Sequence, residues 1–125
     1  RSRIKESRLS FSSRNLLLLE PMGYLDFLSL EAHASLVLTD SGGVQEETTY
    51  LGVPCLTARP NTERPITVSQ GTNRLVKSVK AEMVQAAVEA LKEGRRSGEE
   101  GQRALEYWDG RAADRIVNVL LKADE

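Results

Sequence analysis

The sequence of 125 residues contains a single cysteine, Cys55, and a single histidine, His33. One cysteine excludes a disulfide within the chain and any metal site built from several cysteines. Zinc sites in proteins rely on cysteine and histidine ligands, so the shortage of both argues against zinc. We therefore expect no metal and no cofactor.

The sequence also lacks an excess of charge of one sign and a long apolar run. It has 17 Lys and Arg against 18 Asp and Glu, for a formal charge of −1. Without a basic excess, we expect neither a nucleic acid nor a membrane surface as a partner. No apolar run approaches the roughly 18 residues that a membrane helix needs, and no secretory signal is visible. These features fit a cytoplasmic protein, and we expect that location.

Short apolar runs alternate with amphipathic segments, which indicates an α/β fold with a parallel sheet covered on both faces. We predict strands at 15–20, 36–39, 53–58 and 73–76, and helices at 24–34, 44–51, 81–92 and 110–122. Residues 1–15 are basic and serine-rich, and we expect a tail or partial helix there, with one domain over 16–125. Loops that follow parallel strands leave from one edge of the sheet, where ligands bind.

The segment LVLTDSGGVQEE, residues 36–47, predicts a strand, a glycine turn and the start of a helix. The first N–H groups of a helix have no partner within it and favour an anion. Gly42 and Gly43 carry no Cβ to block a ligand, and Ser41 adds a hydroxyl. Glu47, one turn further, is placed to accept hydrogen bonds from sugar hydroxyls. Two interpretations stay open here: a structural N-cap and turn, or a site for a nucleotide diphosphate with its ribose.

Five segments resemble the C-terminal domain of the non-hydrolysing UDP-N-acetylglucosamine 2-epimerases, in order and in spacing. They are EPMGYLDF (20–27), LTDSGGVQEE (38–47), LGVPCLTAR (51–59), TERPITVSQGTNRLV (62–76) and DGRAADRIV (109–117). The resemblance implies the parallel-sheet, three-layer, Rossmann-like half of a glycosyltransferase-B fold. It also implies reversible conversion of UDP-N-acetylglucosamine to UDP-N-acetylmannosamine, in which UDP is eliminated and then added back.

The resemblance assigns diphosphate and ribose binding to the glycine motif. Ser41, Gly42 and Gly43 would hold the diphosphate, and Glu47 would bind the ribose hydroxyls. Glu46, beside Glu47, is expected to be structural or solvent-facing.

The resemblance also assigns roles to three residues outside the motif. Phe27 would pack on the uracil, with the backbone around Met22 reading the edge of the base; the alternative for Phe27 is a place in the helix core. Arg64 would face the phosphates or the sugar and stabilise the departing UDP, because a guanidinium suits bidentate phosphate contact. The alternative for Arg64 is a surface loop arginine, and Glu63 is a candidate to orient it.

In this family the acids and bases that act on the sugar come mainly from an N-terminal domain, which is absent from this sequence. We therefore predict no catalytic residue here beyond leaving-group support from Arg64, and no epimerisation by the chain alone. A homo-oligomer through the face left by the missing domain is compatible with this interpretation. The alternatives are a stand-alone nucleotide-sugar binding or interaction module, or a glycosyltransferase or hydrolysing epimerase of the same fold. The TERP and GTNRLV segments favour the epimerase.

Overall fold

The structure is a computed structural model that describes residues 16–77, 79–95 and 105–123. Five helices and three strands follow in this order: α1 (Tyr24–His33), β1 (Val37–Thr39), α2 (Gly42–Tyr50), β2 (Cys55–Thr57), α3 (Pro65–Ser69), β3 (Asn73–Leu75), α4 (Lys80–Glu93) and α5 (Ala112–Ala123). The alternation of strands and helices confirms the predicted α/β class. The expected tail at residues 1–15 lies outside the described residues.

The three strands form a parallel sheet in the order β1-β2-β3. The register pairs Thr39 with Thr57, and Thr57 with Leu75, so the last residues of the three strands are level. The turn after β1 and the loop after β2 therefore leave from the same edge of the sheet. This is the edge at which α/β proteins bind ligands.

The buried core centres on β2. Val53, Cys55 and Leu56 are at most 1% exposed, and both α2 and α4 contact this strand. Burial raises the pKa of the Cys55 thiol, because an apolar environment disfavours the thiolate. Cys55 is thus a small core residue, and its thiol is not activated.

The predicted strand at 15–20 is wrong over its described part. Residues 16–20 have no regular secondary structure, and Leu16 to Leu19 are between 43% and 81% exposed. A strand needs a neighbour for its N–H and C=O groups, and the sheet of the described residues begins at β1. An apolar run of four leucines therefore did not suffice to predict a strand.

Helix α2 begins two residues earlier than predicted. Ser41 is its N-cap, with φ −86° and ψ 131°, so Gly42 and Gly43 form its first turn instead of a separate loop. At the other end Leu51 is the C-cap, and Gly52 follows it with φ +67°. This left-handed conformation strains any residue with a Cβ, which explains why glycine ends this helix.

The apolar faces of the last two helices are less covered than their spacing predicts. Val84, Val88 and Leu91 of α4 are 45–56% exposed, and α4 is anchored instead by Ala90, which is 3% exposed. Helix α5 buries none of its residues. Both α2 and α4 contact β2, whereas α5 buries none of its residues, so the expected cover of the sheet by helices is observed at β2.

Gly71 lies where no side chain fits, and this generates a stability prediction. A Cβ there would collide with the Thr67 carbonyl oxygen and lie 2.5 Å from Cγ2 of Thr49. We predict that Gly71→Ala lowers the free energy of unfolding by about 1–3 kcal/mol, because the backbone or a buried threonine must shift. Gly43→Ala is the control, since a Cβ there meets no described atom within 4 Å. Urea unfolding followed by circular dichroism compares them, and an equal loss in both variants would contradict the prediction.

Candidate functional site

The N-terminus of α2 lies at the carboxyl edge of the sheet, and we call it open because no side chain of the described residues caps it. The Ser41 N–H is bonded to Oγ1 of Thr39 at 3.0 Å, which fixes the turn that leads into the helix. Within the described part of the chain, the Ser41 side chain makes no capping hydrogen bond. The N–H groups of the first turn therefore keep their capacity to bind an anion. At Gly43 a Cβ would meet no described atom within 4 Å, so a ligand can approach the backbone closely.

The loop after β2 brings a carboxylate next to this helix end. A Cβ at Gly42 would come 3.0 Å from Oε1 of Glu63. Glu63 is paired with Arg59, whose Nη1 lies 3.0 Å from Oε2. Two hydrogen bonds hold the pKa of the Glu63 carboxyl below its usual range. The larger effect comes from its own backbone N–H and the second from Arg59. Glu63 thus pairs with Arg59 and not, as the sequence suggested, with the Arg64 guanidinium.

Arg64 lies against α2. Its Nε is 2.9 Å from Oε1 of Glu46, and both side chains are about two-fifths exposed. Its Nη1 also donates to the Glu63 carbonyl oxygen at 3.5 Å. The helix that presents the open N-terminus therefore also carries the residue that holds the arginine. Glu46, expected to be structural or solvent-facing, has this structural role.

Glu47 lies between two side chains of α1. The interaction with the Glu47 carboxylate raises the pKa of Tyr24. Glu31 is only 3% exposed, and neither of its carboxylate oxygens has a hydrogen-bond partner among the described residues. Burial, together with the negative charge of Glu47, raises the pKa of Glu31 to about 7. Sequence reasoning missed both partners of Glu47, because their spacing on α1 resembles that of ordinary helix surface residues.

The two residues assigned to uracil lie on or just before α1. Met22 is 37% exposed in the segment leading into the helix, and Phe27 is 41% exposed on its second turn. Phe27 is thus not a buried core residue, the alternative considered for it. Because α1 packs against α2, these residues belong to the same part of the molecule as the glycine motif. Their contact with a base stays a prediction.

The structure thus gathers the five other predicted site residues on or beside one helix. They are Ser41, Gly42, Gly43, Glu47 and Arg64.

Within residues 16–77, 79–95 and 105–123, no three His, Cys, Asp or Glu side chains are grouped to hold a metal ion. In the same ranges no helix has both the length and the apolar character to cross a membrane.

The sequence and the fold were compared with known proteins. Residues 1–121 match the family described as UDP-N-acetylglucosamine 2-epimerase. A relative of that name from Methanocaldococcus jannaschii is 45% identical over 109 residues, which cover 87% of this chain and 28% of the relative. The solved structure of UDP-GlcNAc 2-epimerase from the same organism superimposes with a TM-score of 0.71 at 42% identity, covering 97% of this chain and 33% of that one.

A second structure of that archaeal protein, in complex with UDP-GlcNAc and UDP, gives a TM-score of 0.65 at 40% identity. It also covers 97% of this chain and 33% of the solved one. The chain thus spans about a third of the length of the proteins it matches. These likenesses confirm the resemblance noted in the sequence, and with it the glycosyltransferase-B type of fold.

The buried Glu31 generates a prediction about pH. Its pKa is about 7 in the folded chain against an ordinary value of 4.5, so the folded state binds the proton more tightly. The stability from this site is therefore fully present below about pH 4.5 and is lost as pH rises through 7. We predict that the free energy of unfolding of Glu31→Gln lacks this decrease and exceeds that of the wild type above pH 7. Denaturant unfolding across pH measures this, and parallel curves for the two proteins would contradict it.

Proposed function

This chain belongs to the UDP-N-acetylglucosamine 2-epimerase family, and we propose that it supplies the wall of the active-site cleft that holds the UDP of UDP-GlcNAc and UDP-ManNAc. The observation that carries the proposal is the open N-terminus of α2 with an arginine against the same helix. The archaeal relative whose structure contains UDP-GlcNAc and UDP supports the same ligand class.

The diphosphate is the part of the ligand that this geometry fits best. The first turn of α2 offers N–H groups and the positive end of the helix dipole. Arg64 adds a guanidinium, which can make two parallel hydrogen bonds to phosphate oxygens. Its present partner, Glu46, is two-fifths exposed, and exposed pairs of this kind contribute at most about 1 kcal/mol. A diphosphate can therefore replace Glu46 as the partner of the Arg64 guanidinium at little cost in free energy.

The nucleoside is assigned to the side of α2 that faces α1. Glu47 accepts the ribose hydroxyls, and its carboxylate also interacts with Tyr24 of α1. The exposed ring of Phe27 stacks on uracil, and the backbone near Met22 contacts the edge of the base. This arrangement uses every residue that the sequence assigned to the nucleotide.

The contribution of this chain to the chemical step follows from the residues assigned to the diphosphate. Elimination of UDP from the sugar requires removal of a proton from one carbon and stabilisation of charge on the departing diphosphate. The α2 N–H groups and Arg64 supply the second requirement, since the leaving group gains negative charge as its bond to the sugar breaks. We assign no residue of this chain to the first. A cytoplasmic location and a homo-oligomer stay predictions.

The ribose role is tested by a UDP titration. We predict that Glu47→Ala raises the dissociation constants of UDP and UMP alike, by at least about tenfold, because hydrogen bonds to a charged acceptor are lost. The control is Glu89→Ala on the exposed surface of α4. Calorimetry or NMR titration provides the constants. An unchanged affinity in Glu47→Ala would remove the role of Glu47, and no response of the wild type to millimolar UDP would overturn the binding proposal.

Because no residue of this chain is assigned to deprotonation of the sugar, a separate prediction about turnover follows. We predict that the 125-residue chain does not convert UDP-GlcNAc to UDP-ManNAc, because we assign none of its residues to deprotonation of the sugar. NMR of the sugar anomeric protons follows both compounds directly. Turnover by this chain alone, at a rate that scales with its concentration, would refute the assignment.

A further inference from the structure

Arg64 has a backbone conformation that neither a helix nor a strand imposes. It precedes Pro65 at the start of α3, with φ −122° and ψ 59°. Its side chain is exposed, so packing of its own atoms does not fix it either. Glu46 pairs with the guanidinium, and a separate set of hydrogen bonds holds the Arg64 backbone.

A closed circuit of five hydrogen bonds, which we call the Gln45 ring, holds the Arg64 backbone from both sides. Oγ1 of Thr62 accepts the Arg64 N–H at 3.0 Å and donates to Oε1 of Gln45 at 2.6 Å. On the other side, Oγ1 of Thr67 donates to the Arg64 carbonyl at 2.7 Å and accepts from Nδ2 of Asn73 at 3.1 Å. Nδ2 of Asn73 closes the circuit by donating to Oε1 of Gln45 at 3.1 Å.

The orientation of the two amides in the ring is fixed from β2. Thr57, the last residue of that strand, donates its hydroxyl to Oδ1 of Asn73 at 2.6 Å. Nδ2 of Asn73 is thereby turned toward Gln45 and Thr67, so Gln45 must present its oxygen. The amide nitrogen of Gln45 is left buried without a partner among the described residues.

The unpaired amide nitrogen of Gln45 is a cost of the ring in folding free energy. A buried donor without an acceptor costs about 1–3 kcal/mol, yet Gln45 is fully buried in this orientation. The orientation is kept because Oε1 of Gln45 then accepts hydrogen bonds from two donors, the Thr62 hydroxyl and Nδ2 of Asn73. Thr62 is only half-buried, so it is the link of the ring that can be altered with least effect on the core.

We propose that Thr62 is a positioning residue for the phosphate-binding arginine, because its hydroxyl connects the buried Gln45 amide to the Arg64 backbone. This inference rests on the proposed function, since it takes the diphosphate as the group that Arg64 meets. It goes further by separating the affinity of the site into two parts. The diphosphate part depends on the Thr62 hydroxyl, whereas the nucleoside part, which lies toward α1, does not.

The test compares two substitutions with two ligands. Thr62→Val keeps the shape and removes the hydroxyl, and Thr62→Ser keeps the hydroxyl and removes the methyl group. We expect Thr62→Val to raise the dissociation constant of UDP by about tenfold, the effect of one lost hydrogen bond to a charged group. The dissociation constant of uridine, which has no phosphate, should change by less than about twofold. Thr62→Ser should bind both ligands as the wild type does, and NMR titration measures all of these constants.

A double-mutant cycle shows whether Thr62 acts through the arginine. In an Arg64→Ala background, Thr62→Val should weaken the binding of UDP no further, because the guanidinium that Thr62 positions is gone. Additive losses would overturn the proposal, as would equal losses for UDP and uridine, which indicate a general effect on the fold. If Thr62→Val does not fold, Thr62→Ala removes the same hydroxyl with less bulk.

The outcomes separate this inference from the proposed function. A wild type that binds neither UDP nor uridine refutes the proposed function and this inference with it. A wild type that binds UDP, together with a Thr62→Val variant that binds it equally well, refutes only the positioning role.

Discussion

The structure depends on one constraint, the pairing of polar side chains that its core buries. Among the described residues seven buried side chains are polar or charged and six are apolar. Polar groups taken out of water are stabilised by hydrogen-bond partners, and Gln45 pairs with Asn73 across α2 and β3. Their pairing joins the helix with the open N-terminus to the strand beside it and to the loop with the arginine. The start of β3, helix α2 and the loop after β2 are thereby linked through the Gln45 amide.

The charged side chains around α2 form two exposed ion pairs and one buried acid. The exposed pairs and the buried acid respond differently to a ligand and to pH. Arg59–Glu63 and Arg64–Glu46 lie at the surface, where exchange with a ligand is inexpensive. Glu31 is buried beside Glu47, so its ionisation is costly. The exposed pairs keep the arginines close to the helix end. The buried acid makes the α1–α2 contact sensitive to protons.

Local patterns predicted the elements whose neighbours are close in sequence. The strand, glycine pair and helix within residues 36–50 form as expected, and Gly52 ends the helix, because turn chemistry acts over a few residues. The same patterns failed at residues 16–20 and overstated the burial of α5. An apolar run or stripe shows what a segment would gain from a partner surface, but not whether the chain provides one.

By itself the sequence determined the family, through five motifs that resemble it in order, and the order of most elements, through short-range spacing. It also predicted the residues of the candidate site. Only the tertiary structure decided that Glu46 holds Arg64, that Glu31 and Tyr24 flank Glu47, and that Thr62 connects Gln45 to the arginine loop. Thr62 and Gln45 lie 17 residues apart, and Asn73 and Gln45 lie 28 apart. Helical and strand periodicity relate residues only a few positions apart, so contacts of this range arise when the sheet brings its loops to one edge.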